Sequence, residues 1–206
     1  MKLEKHAEIA EAYRAFRTNL FYAIPQAKNK KIIVAGPIYQ EKQADFVFHA
    51  AQCIAQAGKR VLLVDTDLKH DSIAHLLNAE YTYGFFDLLK EKVMCDDCVL
   101  SQKQIDIIFS GKPRGNSSEL LETNKAIEIL KQMERKYDCI LFNGSPINTV
   151  IDTAVLARTT STDVILTMQS GKIERKAVKQ AIHLLETIHV QVLGMVLLDA
   201  KSRSKN

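Results

Sequence analysis

The stretch from Lys30 to Ala44 has the layout of a segment that could bind phosphate groups. It consists of an apolar run, a break at Gly36-Pro37, and the first residues of an amphipathic segment. A phosphate-binding loop lies at such a junction of strand and helix. Its glycines let backbone N–H groups wrap the phosphates, a lysine neutralises their charge, and a Ser or Thr hydroxyl binds Mg²⁺. The stretch therefore predicts where such a loop would lie.

The residues at the end of this loop lack most of that chemistry. In the register without gaps, Gln43 takes the place of the lysine and Ala44 takes the place of the hydroxyl residue. A register shifted by one residue makes Lys42 the lysine that follows Gly36, but Glu41 then replaces the second glycine. Both registers are open from the sequence. Weak nucleotide binding through Lys42 would have to overcome repulsion between Glu41 and an anionic ligand.

Polar residues also follow two other apolar runs. Asp65 and Asp67 come after the run 61–64, and Asn143 comes after the run 139–142. At the carboxyl ends of parallel strands, these residues would lie at the ligand-binding edge of an α/β sheet. We take Asp65 and Asp67 as candidate catalytic residues, with turn or N-cap aspartates as the alternative. A neutral amide at position 143 cannot replace a carboxylate on a hard cation, so we expect no bound metal.

The elements that must position these residues alternate between strands and helices. This alternation predicts an α/β fold with a mostly parallel central sheet, helices on both faces, and a preceding N-terminal helix. The predicted strands are 32–35, 61–64, 105–109, 139–142, 164–168 and 192–198. The predicted helices are 7–22, the segment after the loop up to Gly58, 72–77, 85–90, a helix from Ser117 or Ser118 to about Lys136, 152–157 and 175–188.

The helix 7–22 has two different faces. Its apolar stripe is formed by Ile9, Tyr13, Phe16 and Leu20. At about 100° per residue, Glu11 and Arg14 project from the opposite side, and Arg17 lies on the flank of the stripe. One face can dock on the body while the other contacts a second molecule. The alternative for Glu11 and Arg14 is a solvated ion pair.

Length and composition indicate a globular protein with one domain spanning residues 1–206. The 206 residues are 47% hydrophobic and 25% charged, and no apolar run approaches the length that a membrane helix needs. The charged N-terminus lacks a signal-peptide apolar region, so we expect a cytoplasmic protein with free thiols. Cys95 and Cys98 have metal-ligand spacing, but a structural zinc site needs four ligands. The basic tail 201–206 is expected to be solvated.

Four motifs, in order along the chain, carry a resemblance to a known family. They are the Glu-x-x-Arg-x-x-Arg pattern within residues 11–19, Leu-Val-Asp-Thr-Asp-Leu at 63–68, the segment 111–121, and Asn-Thr-Val-Ile-Asp-Thr-Ala at 148–154. At these spacings the chain resembles the bacterial P-loop tyrosine kinases (BY-kinases) of the CpsD/CapB type, which are found with capsule and exopolysaccharide machinery. The resemblance covers nearly the whole chain and implies a P-loop NTPase-like fold.

The resemblance also marks which nucleotide-binding positions have changed. The family's lysine, hydroxyl residue, magnesium-ordering aspartate and adenine-contacting asparagine align with Gln43, Ala44, Asn143 and Leu198, respectively. Only Asp65 and Asp67 match the family's acidic residues, and the tail after Ala200 lacks the tyrosines that many members autophosphorylate. By resemblance, Glu11, Arg14 and Arg17 belong to an oligomerisation helix.

These departures favour a pseudokinase that acts in assembly or regulation of exopolysaccharide or capsule biosynthesis and needs no cofactor. The resemblance implies homo-oligomers, mixed oligomers with an active paralogue, or binding to the cytoplasmic tail of a membrane polysaccharide co-polymerase adaptor, and no nucleic acid. Through such a partner, the protein would be membrane-associated. One alternative is a divergent tyrosine kinase that binds ATP and magnesium through Lys42, Asp65 and Asp67. A second alternative is a ParA- or MinD-like ATPase, although these also need the loop lysine.

Overall fold

The computed structural model of the protein describes residues 2–24, 30–90, 93–112 and 116–199. The helices are α1 Lys2–Ala23, α2 Lys42–Ala55, α3 Ser72–Leu77, α4 Phe85–Leu89, α5 Ser117–Leu121, α6 Asn124–Lys136, α7 Asp152–Thr160 and α8 Arg175–Thr187. The strands are β1 Lys30–Ala35, β2 Val61–Asp65, β3 Val99–Gln102, β4 Ile105–Ile108, β5 Cys139–Asn143, β6 Asp163–Gln169 and β7 Val192–Leu198. A 3₁₀ turn covers Cys95–Cys98. The predicted tail 201–206 lies outside the described residues.

The seven strands form one sheet in the order β3-β4-β2-β5-β1-β6-β7. Every neighbouring pair is parallel except β3 with β4, which is antiparallel. The central strands β1, β2 and β5 are buried apolar runs, as expected for parallel strands that are covered on both faces. The prediction of a mostly parallel sheet with helices on both faces and a preceding helix is confirmed.

Two apolar cores cover the two faces of the sheet. On one face, side chains of α4, α6, α7 and α8 pack on the sheet, with Phe85, Phe86 and Phe142 among the fully buried residues. On the other face, α2 and α3 pack on the sheet, with Val47, Ile54 and Ile73 fully buried. The helices of both faces thus hold the carboxyl ends of the central strands in place.

The helix α1 docks on α2 through its apolar stripe. Tyr13 stacks on Phe46 with ring centroids 5.9 Å apart, and Phe16 meets the same ring edge-on at 5.0 Å. Leu20 is buried in the core, whereas Ile9, at the other end of the stripe, is 48% exposed. The predicted stripe therefore covers the body only over its C-terminal part. None of the helices within the described ranges has both the length and the apolar content to cross a membrane.

Two local predictions are wrong. The segment predicted as one helix up to Lys136 is two helices, because Thr123 interrupts it: its Oγ1 accepts a hydrogen bond from the Ala126 N–H and donates one to the Leu120 carbonyl. Such a side-chain cap starts a new helix. Neither Ser117 nor Ser118 caps the first of them, because Asn116 is its N-cap residue and the Ser117 and Ser118 hydroxyls donate to Asp152 and to Asn116. The strand β3 was not predicted, because its four residues are half-buried or exposed.

Candidate functional site

The predicted loop and the predicted carboxylates meet at one edge of the sheet. β5 lies between β1 and β2, so that Asn143 is in register with Val34 on one side and with Asp65 on the other. Gly36 follows β1 at the same edge. The structure therefore brings together the carboxyl ends of three adjacent strands, which is where ligands bind in open α/β sheets.

Gln43 and Asn143 form a neutral, buried contact at this edge. The Gln43 Nε2 group donates to Asn143 Oδ1 at 2.9 Å and to the Gly144 carbonyl at 2.8 Å. Its Oε1 atom accepts from the Thr167 hydroxyl at 3.0 Å. Every hydrogen-bonding group of the Gln43 amide except one is thus paired with protein. In the register without gaps, this is the position of the phosphate-binding lysine.

Asp65 is fully buried next to this contact. Its carboxylate accepts hydrogen bonds from the Asp67 and Ile73 N–H groups and from Asn143 Nδ2, which lies 2.9 Å away. Burial raises the pKa of Asp65 to about 7, even though the hydrogen bonds from Ile73, Asn143 and Asp67 lower it. The structure therefore uses this carboxylate as an acceptor for protein donors.

The side chain of Gln40 folds back over Gly36. Its Nε2 group donates to the carbonyl and to the hydroxyl of Thr167 at 2.8 and 3.0 Å. A Cβ atom placed on Gly36 would lie 1.8 Å from that nitrogen. The space that a glycine leaves open for a phosphate in a phosphate-binding loop is taken here by a glutamine amide. The buried Gln40 Oε1 has no hydrogen-bond partner among the described residues.

Lys42 and Ala44 lie away from this network. Lys42 is exposed at the start of α2 and lines a groove of about 1500 Å³ between α1 and β7. Ala44 is buried in the core beneath α2, and Leu198 is buried at the end of β7. In this arrangement, the buried position beside Asn143 is taken by Gln43 and not by Lys42.

Asp67, which follows β2, belongs to a second, acidic part of the site. Its Oδ2 atom lies 2.7 Å from His70 Nδ1, and the His70 ring stacks on Tyr39 with centroids 3.9 Å apart. Burial raises the pKa of Tyr39, and the negative charges of Asp67 and Glu41 raise it further. The negative charges of Asp67 and Glu41 thus act on the loop after β1 that contains Tyr39, which disfavours a phosphate ligand there. Asp67 Oδ1 is buried and unpaired among the described residues.

Sequence reasoning missed the contacts that Gln40 makes with Thr167 and that His70 makes with Asp67 and Tyr39. The spacing of His70 from Asp67 could have suggested a local contact, because residues three apart are neighbours in a turn or helix. Thr167 lies on β6, and Gln40 contacts it across more than a hundred residues of sequence, so no local pattern reveals this pair. Within the described ranges, no three His, Cys, Asp or Glu side chains form a metal-binding group.

The three charged residues that the motif groups on α1 do not share one environment. Glu11 and Arg14 form an exposed ion pair at 2.5 Å. Arg17 instead donates to the Cys53 carbonyl at 3.1 Å and thereby attaches α1 to α2. Arg17 contacts the body, whereas Glu11 and Arg14 face outward, so the proposed oligomerisation role remains a prediction for Glu11 and Arg14 in particular.

Comparisons with known proteins agree with this architecture. A sequence model of the AAA domain family, AAA_31, matches residues 44–195, a range that begins directly after Gln43. The tyrosine-protein kinase YwqD of Bacillus subtilis (strain 168) is 29% identical over 199 residues, covering 96% of this chain and 83% of that protein. The tyrosine-protein kinase ptk of Acinetobacter johnsonii is 26% identical over 196 residues. That match covers 94% of this chain but only 27% of the longer relative.

Solved structures extend the comparison to the fold. The kinase domain of the Escherichia coli tyrosine kinase ETK superposes with a TM-score of 0.88 at 25% identity, covering 96% of this chain and 78% of that chain. The match includes most of the described elements, so the order of strands and helices is shared. The chain therefore belongs to the AAA_31 family of AAA domains, and its resemblance to the bacterial P-loop tyrosine kinases is confirmed.

Proposed function

We propose that this protein is a pseudokinase, which acts as an assembly or regulatory subunit in exopolysaccharide or capsule biosynthesis and transfers no phosphoryl group. The observation that carries the proposal is the buried contact between Gln43 and Asn143, with the Gln40 amide folded over Gly36. Two neutral amides thus satisfy each other at the positions where the resemblance implies a lysine and an aspartate for phosphate and magnesium.

Electrostatics support the same conclusion. Catalysis of phosphoryl transfer depends on positioned charges that stabilise the transition state, and a single such group can change the rate by orders of magnitude. Among the described residues, the buried part of this sheet edge offers no lysine, while Asp65, Asp67 and Glu41 supply carboxylates. ATP and magnesium therefore do not fit the residues that are present.

The partners are proposed from the family resemblance. A pseudokinase of this kind would form homo-oligomers, or mixed oligomers with an active paralogue, and would bind the cytoplasmic tail of a membrane polysaccharide co-polymerase adaptor. The exposed Glu11 and Arg14 on α1 provide a charged surface for such contacts. The competing function is a divergent tyrosine kinase, which is favoured by the names of the relatives and would have to use the exposed Lys42.

Calorimetric titration with MgATP and with MgADP tests the proposal. The wild-type protein, the Lys42→Ala variant and the ETK kinase domain as a positive control are titrated in parallel. We expect no binding heat up to about 1 mM nucleotide, which corresponds to a binding free energy weaker than about −4 kcal/mol. Micromolar binding, about −8 kcal/mol, that is lost in Lys42→Ala would overturn the proposal in favour of the kinase.

A phosphotransfer assay separates binding from chemistry. Radiolabelled ATP is supplied with a tyrosine-containing random copolymer, and the protein's own tyrosines serve as a second acceptor. The pseudokinase should label neither acceptor under conditions in which the ETK domain does. Labelling that survives in Lys42→Ala but disappears in Asp67→Asn would also contradict the proposal, because it would assign chemistry to the remaining carboxylates.

A further inference from the structure

The strand β7 leaves an unusual edge on the sheet. Within the part of the chain that the structure describes, no strand pairs with its outer side. Its seven residues, Val192–Leu198, include no charged residue, no polar side chain and no proline. Met195 and Leu197 are 55% and 52% exposed. Unpaired strand edges bind other strands, and natural proteins protect them with charges, prolines or short strands.

The opposite edge of the same sheet has such protection. β3 has only four residues, and two of them, Ser101 and Gln102, are polar. Ser101 is hydrogen-bonded to Asp106 on the neighbouring strand β4. The antiparallel β3–β4 pair is joined by a tight turn in which Lys103 and Gln104 adopt positive φ. The contrast shows that the lack of protection is specific to β7.

We propose that β7 pairs antiparallel with β7 of a second copy of this chain, which joins the two sheets into one across a twofold axis. A twofold contact requires a self-complementary surface, because the same patch is used on both copies. An all-apolar strand satisfies this requirement, since apolar side chains meet apolar side chains where the two strands pair and no like charges face each other there. A strand from an unrelated partner would not need this symmetry.

A twofold axis at Val196 gives a specific register. Met195 then lies opposite Leu197 of the second copy, and Leu197 lies opposite its Met195. Both residues are in register with Leu166 and Met168 on β6, and directly paired residues share a face of the sheet. The two half-exposed side chains of each copy therefore cover those of the other.

The other face of the strand suits the same register. Gly194 lies opposite Leu198 of the second copy, and no heavy atom lies within 4 Å of a Cβ placed on Gly194. The larger side chain thus meets the smallest one across the pair. On this face, the groove between α1 and β7, lined by Ile9, Tyr13 and Phe16, adds apolar surface beside the axis.

The area of such a contact reaches that of a small specific interface. With the axis at Val196, the paired residues are 194–198, because Leu193 falls opposite Asp199, which follows the strand with φ 53°. Five residues are about 17 Å long, and a sheet with one helix layer on each face is about 30 Å thick. The contact then buries on the order of 500 Å² per copy, about 1,000 Å² in total, which is the lower limit for a specific interface. Lys176 and Lys179 are basic residues of α8. They lie on the exposed side of that helix, opposite its buried residues Ala181 and Leu185.

This proposal does not rest on the pseudokinase function, because it is argued from the edge strand β7 alone. Leu198, which aligns with the family's adenine-contacting residue, lies in the contact, and Lys42 lines the groove beside it. Assembled mass tests the contact and nucleotide titration tests the pseudokinase, so either proposal can fail while the other stands. The contact also differs from the predicted one through Glu11 and Arg14, which lie on the outer side of α1.

Light scattering measures the assembled mass directly. The wild-type protein should assemble beyond one protomer of 23.2 kDa, and Met195→Lys/Leu197→Lys should lower that mass at least twofold. The matched control is Leu100→Lys on the opposite edge, a residue that is 40% exposed. Circular dichroism confirms that the variants are folded. A wild-type monomer at about 100 µM protein overturns the proposal, as does an equal loss of mass in the control.

Cross-linking tests the register without relying on mass. Val196→Cys should form a disulfide between two copies under mild oxidation, because paired Cα atoms in antiparallel strands lie about 4.5–5.5 Å apart, within disulfide range. Leu100→Cys and the wild-type protein, whose Cys53, Cys98 and Cys139 are buried and whose Cys95 is half-buried, are the controls, and Cys95 is replaced by serine in every protein compared. Met195→Lys/Leu197→Lys should abolish the cross-link. A cross-link that is no faster than in Leu100→Cys contradicts the twofold axis at Val196.

Discussion

The contact between Gln43 and Asn143 joins two neutral amides. The family resemblance implies a lysine and an aspartate at these two positions, whose charges would act on phosphate and magnesium. Buried charges are costly unless they are paired, whereas two amides can satisfy each other through ordinary hydrogen bonds. Gln43 and Asn143 are both at least nine-tenths buried, and as neutral amides they need no ligand to compensate a buried charge.

Restoring the two charges one at a time should destabilise the protein. Gln43→Lys buries an ammonium beside an amide, and Asn143→Asp places a carboxylate against Asp65 while removing the donor to it. Each change should lower the free energy of unfolding by about 3 kcal/mol, as for an uncompensated buried charge. The free energy of unfolding of the double variant should be at least about 1 kcal/mol higher than the sum of the two single losses predicts. Urea unfolding measures all three, and strict additivity would contradict the contact.

The buried Asp65 makes stability depend on pH. Its folded-state pKa of about 7 lies above the usual value of about 4, so the folded protein holds a proton that the unfolded chain has released between these values. The free energy of unfolding should therefore fall as pH rises from about 4 to about 7 and change no further above that range. Asp65→Asn removes the titrating group.

This pH dependence is measured as the difference in unfolding free energy between Asp65→Asn and the wild type. The difference should shift in favour of the variant across the window from about pH 4 to about pH 7, by up to a few kcal/mol. Asp96→Asn is the control, because the Asp96 side chain is 85% exposed. A difference that stays constant with pH would show that Asp65 ionises normally.

At the scale of elements, the attachment of α1 separates two arginines that the motif groups together. Arg17→Ala removes a charged donor to the Cys53 carbonyl and should cost about 1.5 to 3 kcal/mol of stability. Arg14→Ala removes only an exposed ion pair and should cost less than about 0.5 kcal/mol. Thermal or urea unfolding of the two variants gives the comparison. Equal effects would show that the Arg17 contact is absent in solution.

The break between α5 and α6 depends on one side chain. Thr123→Ala removes the cap on the Ala126 N–H and should destabilise the protein by about 1 kcal/mol. Thr123→Ser keeps the hydroxyl and serves as the control, with a loss well below that of alanine. If both variants unfold alike, the hydroxyl does not determine where α6 begins.

The sequence predicts most elements because their signals are local. The buried strands are continuous apolar runs, and α3 was predicted with the bounds 72–77 that the structure shows. The exposed strand β3 and the break at Thr123 were missed, because each depends on a feature that apolar periodicity does not record. The positions Gly36, Asp65 and Asn143 could be placed at one edge of the sheet. The contact of Gln40 with Thr167, which fills the space over Gly36, could not be predicted, since it joins distant parts of the chain.

At the scale of the whole molecule, the outward side of α1 and the edge strand β7 are the two proposed contact surfaces, and they lie apart. The first is charged, through the exposed Glu11 and Arg14, and the second is apolar, through Met195 and Leu197. Charged surfaces give salt-dependent contacts, whereas burial of apolar edges is much less sensitive to salt. A molecule that uses both can extend an assembly beyond a dimer, because each copy has two independent contacts.

The two surfaces should therefore act additively on assembled mass. Arg14→Glu alone should weaken the contact through α1, and Met195→Lys/Leu197→Lys alone should remove the contact through β7. Light scattering should show an intermediate mass for each variant and a monomer only when both are combined.

Lys131→Glu, which reverses an exposed charge on α6, is the control for Arg14→Glu. Raising the salt concentration should reproduce the effect of Arg14→Glu but leave the β7 contact in place. If Arg14→Glu has no effect at any salt concentration, α1 serves only to pack on α2, and β7 alone would account for any assembly.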